Sequence, residues 1–226
     1  MLFRLVVFIS FLSLPSYSAI TPFKGEFLFK GPVLTLTTIR EIQVDDNKGS
    51  FNFTGKNTLG HLKISSEFLI AENELESLNY EFKARAALLI NRKQQLSFDN
   101  NLRSSGDFTW EIKNISEQPN KILDPLTAQL ALAQEIAGGK NSVTLFLPNL
   151  KNGDVEKNEF LLVQDEVLVI DGKEYDCSVV ERVRENENRI TRYWFAKNLD
   201  YVLVKTIDKD SNGTVELSMT KLLSFG

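Results

Sequence analysis

Asp124 to Gly139 reads DPLTAQLALAQEIAGG, and the fold turns on this stretch. Leu126, Leu130, Ala133 and Ala137, with Leu123 just ahead of them, recur at spacings of three and four, which sets them along one helical stripe. Asp124 is placed as the N-cap, its carboxylate accepting from a free backbone N–H of the first turn. Pro125 follows where its missing N–H costs nothing and its fixed φ suits a helix. Gly138 and Gly139 come after the last apolar position and can turn left-handed to stop it. Leu132 and Ile136 fall on a second line, so the apolar surface is broad and Thr127, Gln129, Gln134 and Glu135 are left for the remaining face. The spacing predicts an amphipathic helix over about 122–138 that must lie against something.

Its partner is written on both sides of it. From Thr21 to Lys113 apolar and polar residues alternate in runs broken by polar turns: Phe23, Phe27 and Phe29; Val33 to Val44; Ser50 to Thr58; Leu62 to Ile70; Leu75 to Arg85; Leu88 to Phe98; and Phe108 to Ile112. After the helix, Val143 to Leu147, Glu159 to Ile170, Arg189 to Ala196, Tyr201 to Asp208 and Thr214 to Leu223 continue the pattern. Asp171-Gly172 is a two-residue hairpin signal, leading into KEYDCSVVERV. Turns this short demand antiparallel pairing, because parallel strands need crossovers of about a dozen residues. No linker or repeat divides the chain. The expectation is a mainly β fold: a curved antiparallel sheet, a spiral, open or half β-barrel, wrapped around one helix as a single domain over 19–226.

The N-terminus predicts export. Met1 to Arg4 is a short positive start, Leu5 to Leu14 an apolar run with two serines, and Ser16-Tyr17-Ser18 supplies small residues for a signal peptidase. Cleavage is expected between Ser18 and Ala19, removing residues 1–18 and leaving a periplasmic protein. The run is too short to cross a bilayer of roughly 30 Å, which takes about 20 residues, and no later segment predicts a transmembrane helix. No cysteine adjoins the cleavage point for lipoprotein processing. Cys177, the single cysteine, has no intramolecular partner and reads as a small buried apolar residue, so stability must come from the core. A net charge of -4 and a pI near 5.3 argue against nucleic-acid binding. Three glycosylation sequons, at Asn52, Asn114 and Asn212, matter only in a eukaryotic secretory route.

In the second half, Asp124-Pro125-Leu126 opens the helix, then come Asn152-Gly153 and Val169 to Lys173. Cys177 to Arg182, Thr191 to Ala196, and Leu199-Asp200-Tyr201-Val202-Leu203-Val204-Lys205 follow, with a final Leu217. This order resembles the bacterial exported family catalogued as domain of unknown function 3108, whose R-x-x-W-x-A-x-x-L-x-Y-x-P-V stretch is its most recognisable element. Leu203 stands where that family usually has proline. The likeness runs from Phe23 to Leu223, with its specificity in the second half. It implies an envelope protein with a curved antiparallel sheet around a helix, and it carries no catalytic residues to transfer.

Known chemistries find little purchase. His61 is the single histidine and no G-x-S-x-G nucleophile elbow occurs. One His and one Cys do not make a zinc centre, and Asp208 to Gly213 lacks the spaced ligands of a calcium loop and reads as a hairpin turn. Asp165 with Glu166, or Glu181 with Glu185, would serve a glycosidase only at the right separation across the sheet. Gly138-Gly139 ends a helix instead of cradling a phosphate. No metal and no cofactor is expected, and the chain reads as non-catalytic. The sixteen phenylalanines make either a filled β core or a core with an apolar groove left beside the helix. Arg182, Arg192 and Lys205, with Trp194 and Tyr201, are the candidate rim of such a groove, receiving an anionic headgroup; the competing reading is a solvated ladder paired with Glu and Asp. The leading expectation is a binder of a lipid-like ligand or an envelope component. The alternatives are a protein-interaction scaffold with a filled core and an enzyme acting on carbohydrate or peptidoglycan.

Overall fold

β1 (Phe23–Lys30) and β14 (Gly213–Phe225), the first and last strands, pair side by side, and the sheet grows outward from them in two directions. On one side follow β2 (Thr35–Asp45), β3 (Lys48–Lys56), β4 (Gly60–Ala71), β5 (Glu74–Ala86), β6 (Ile90–Phe98), β7 (Leu102–Gly106) and β8 (Trp110–Ile112). On the other lie β13 (Val202–Asp210), β12 (Ile190–Ala196), β11 (Lys173–Val183), β10 (Val155–Ile170) and β9 (Ser142–Pro148). Every pairing between these strands is antiparallel, as short turns require, and α1 (Pro125–Ala137) connects the two outer edges. The computed structural model describes residues 20–226 except 33, 59, 72–73, 87–89 and 185–187. The expected signal peptide therefore lies outside the described residues.

The helix runs over Pro125–Ala137, capped as the sequence places it, but it starts later than the expected 122: Ile122 and Leu123 are drawn to the edge of β9 instead. Asp124 caps it, its Oδ1 accepting from the backbone N–H of Leu126 at 2.9 Å and of Thr127 at 3.1 Å. Gly138 N–H closes the last turn on Gln134 O, and Gly139 takes the left-handed conformation at φ +86°. The two apolar lines divide the work. Leu126 and Leu130 join a cluster with Phe23, Phe27, Phe51 and Phe68 from the first half of the sheet. Leu132 and Ile136 pack with Val143, Phe160, Val180, Phe195 and Leu203 from the second. The first cluster also takes in Cys177, Val179, Trp194 and Val204 from the second half, so both halves of the sheet contribute to the core around Leu126 and Leu130. Thr127, expected on the polar face, is fully buried, while Ala133 and Ala137 are only half-buried.

Two features bring the free edges together without joining them. Ile122 makes a parallel bridge to Phe146, and Leu123 N–H donates to Phe146 O at 3.0 Å, so the segment entering the helix covers part of the open edge of β9. Trp110 of the three-residue β8 donates through Nε1 to Leu150 O at 3.1 Å and lays its ring on Gly153. A Cβ there would sit 2.8 Å from that ring on a backbone at φ +82°, so the turn after β9 is built for glycine twice over. Asp171 and Gly172 both adopt positive φ, as the tight β10–β11 hairpin requires.

Candidate functional site

Where the helix N-terminal half faces the second half of the sheet, the curl leaves a groove of about 620 Å3. Apolar and polar residues share its lining, Gln129 and Asn158 among the polar ones. Leu132 comes from the helix, Phe160 from β10 and Tyr193 from β12, and Leu147, Pro148 and Leu150 close one wall. Phe160 and Tyr193 meet edge to face with centroids 5.9 Å apart, and Tyr193 stacks on Phe195 at 6.4 Å. Alternation along the strands does the positioning. Phe160 lies opposite Arg182, and Val180 opposite Tyr193, so a ring and a guanidinium from neighbouring strands share the inner face.

Cations line the same groove: Arg182 at the end of β11, Arg184 just beyond it, Arg189 before β12, and Lys151 from the turn after β9. Arg189 is held by Asp208 through Nε at 2.9 Å and Nη2 at 2.5 Å. Arg184 donates to Thr191 Oγ1 at 2.8 Å, and that hydroxyl in turn donates to Asp208 at 2.8 Å. Burial holds the Arg184 guanidinium below its usual range, with the positive charges of Arg182 and Arg189 adding to the effect. Arg182 differs. Its nearest carboxylate, Glu156, stands 3.8 Å from Nη2, and its Nε is buried with no acceptor. A buried N–H without an acceptor is costly, on the order of 1–3 kcal/mol, and more on a charged group.

The five expected rim residues do not share one site. Arg182 lines the groove. Tyr201 lines a different, smaller cavity, with Arg40, on the side of the helix C-terminal half. Trp194, Lys205 and Arg192 lie together on the opposite face of their strands: Lys205 Nζ sits 4.8 Å over the Trp194 ring, Trp194 Nε1 donates to Glu166 at 2.9 Å, and Arg192 pairs with Glu181 at 2.7 Å. Trp194 is itself buried in the main hydrophobic cluster, and Arg192 and Lys205 flank it towards solvent. Lys151, Arg184 and Arg189 are the groove cations missing from the expected rim. They lie in turns and strand ends, where alternation does not define a face.

The other candidates are placed as follows. Asp165 and Glu166 are consecutive strand residues directed to opposite faces, Asp165 paired with Lys197 at 2.7 Å and Glu166 with Trp194. Glu181 is occupied by Arg192, and Glu185 lies outside the described residues. His61 sits in β4 opposite Lys56 and Arg85. Asp210 Oδ1 accepts from Asn212 N–H at 2.7 Å, closing the expected hairpin turn. Among the described residues no group of three or more His, Cys, Asp or Glu is placed to hold a metal ion. Also among them, no helix is long and apolar enough to cross a membrane.

No family model matches the chain, and no curated protein matches it in sequence. In fold it is similar to a β-barrel-like protein of domain of unknown function DUF1849 from Brucella abortus, whose structure superposes with a TM-score of 0.55 at 8% identity. The likeness covers 89% of this chain and 97% of that one. At that identity it establishes the shared β-barrel-like architecture.

Proposed function

We propose that this chain is an exported envelope protein, of the kind gathered under domain of unknown function 3108, that binds an anionic amphipathic molecule without transforming it. The export reading rests on residues 1–18, and the family reading on the Trp194 to Val204 stretch and the residues around it. The binding reading rests on one observation above the rest: the Arg182 guanidinium, with a buried Nε lacking an acceptor, stands over an apolar floor of Leu132, Phe160 and Tyr193. An acyl or similar chain would lie on the floor, and a phosphate or carboxylate head would take the forked donors of Arg182, where charge-assisted hydrogen bonds are strongest.

Dodecyl phosphate is the probe. Calorimetric titration is expected to show binding by the wild type, and Arg182→Met to weaken it about tenfold or more, the equivalent of one charge-assisted hydrogen bond. Dodecyl maltoside, with the same chain and a neutral head, is expected to bind the wild type as weakly as dodecyl phosphate binds the variant. Equal binding of both probes, or no effect of the substitution, overturns the reading.

A second reading, the interaction scaffold, draws on β10. Its Val163, Val167 and Val169 are exposed, the last by 69%. Chemical crosslinking that captures one defined protein through this strand would favour the scaffold over the carrier.

A further inference from the structure

Arg40 lies in the middle of β2 with only 4% of its surface exposed, inside the curl and far in sequence from the groove arginines. It faces a second cavity, of about 40 Å3, enclosed by Phe23, Phe51, Leu130, Phe195 and Tyr201 among others. Nη2 donates to Gln129 Oε1 at 3.0 Å and Nη1 to Leu203 O at 3.3 Å. The rings of Phe27 and Phe51 lie 5.1 and 4.8 Å from the guanidinium carbon. Among the described residues no carboxylate pairs with it, and its acceptors are these two neutral oxygens. Burial lowers its pKa to about 9, which still leaves it charged at neutral pH.

A buried cation needs a compensating charge, and two neutral acceptors and two ring faces supply only part of one. The cavity beside it, with room for about three water-sized groups, gives a small anion access to the guanidinium, and a carboxylate is such an anion. Its planarity matches the fork of a guanidinium. Asp200 stands at the same cavity, but it is exposed, bonded by the Thr21 hydroxyl, and makes no ion pair with Arg40.

We propose that the Arg40 cavity is a carboxylate-binding site, separate from the groove and independent of the function proposed for it. The ligand is either a short free acid or the carboxylate end of an acyl chain. The test follows the Arg40 Nε–Hε cross-peak by NMR, assigned through Arg40→Met, while acetate, decanoate or chloride is added to the full chain. Acetate is expected to move the peak saturably at millimolar concentration and to raise the Tm of the wild type but not of Arg40→Met. Equal potency of acetate and decanoate identifies a free acid; a stronger effect of decanoate identifies an acyl chain. A peak that neither acid moves, or that chloride moves as well as acetate, overturns the proposal. If Arg40→Met does not fold, Gln129→Met assigns the peak through its shift, and the wild-type titration decides alone.

Discussion

Cys177 shows how far a single residue can be read and where reading stops. As the one cysteine in an alternating strand it was expected to be buried, and it is completely so, its thiol directed at Tyr175 O at 3.4 Å. Burial first, and the nearby Asp176 and Glu166 carboxylates after it, push the thiol up to about 11. The native protein at pH 8 is therefore expected to leave a disulfide reagent such as DTNB unreacted, with one thiol appearing on unfolding in guanidinium; rapid reaction of the folded protein would contradict this burial. Thr127 is the opposite case. From the sequence its hydroxyl faces solvent, yet it is buried, donating to Asp124 Oδ2 at 2.5 Å and meeting Ser66 Oγ at 2.9 Å. Ser66 lies 61 residues away in sequence, so nothing local marks the contact. Arg40 was equally hidden, since an arginine among threonines and isoleucines in a strand is ordinary until the curl encloses it.

At the scale of elements, the helix carried most of its own evidence. Its cap, its proline and its terminal glycines are local chemistry, and local chemistry survives folding. β7 carried little, because its inward positions are Leu102 and the polar Ser104, so the alternation of burial does not show as an alternation of hydrophobicity. Asp124 joins the helix to the sheet: its backbone N–H donates to Ser77 Oγ and its Oδ2 accepts from Ser66, both at 2.8 Å. Asp124→Ala removes the cap and leaves buried hydroxyls without acceptors, so a loss of about 3 kcal/mol is expected in denaturant titration. Burial is the larger influence on the carboxyl and raises its pKa against the lowering by Thr127, Ser77 and Ser66. The protonated acid is thus favoured in the folded state. Its contribution is fully present below the ordinary aspartate value and is lost as pH rises through the raised folded one. Relative to Asp124→Asn, the wild type is expected to lose stability as pH rises through that window. A parallel pH profile for the two proteins would contradict the assignment.

The whole molecule is a curled sheet whose two edges approach through Trp110 and Leu150 without pairing, and the helix inside separates a groove from a small cavity. The architecture was legible because alternation, short turns and one capped helix admit few arrangements. The rim was not, because membership of a site depends on which way the curl turns each strand. Residues 192, 194 and 205 lie on the opposite face of their strands from the groove, Trp194 buried in the core there, while residue 182 lines the groove, and their nearness in the sheet gave no sign of this. Function follows from that geometry: if the groove takes an anionic amphipath, Arg182 must meet the head and Phe160 with Tyr193 the chain. A crystal structure of the protein with dodecyl phosphate tests this most directly. The account predicts the phosphate against the Arg182 guanidinium and the chain along Leu132, Phe160 and Tyr193. A probe bound on the opposite face of the sheet beside Arg192 and Lys205, or a groove that stays empty at saturating probe, would contradict it.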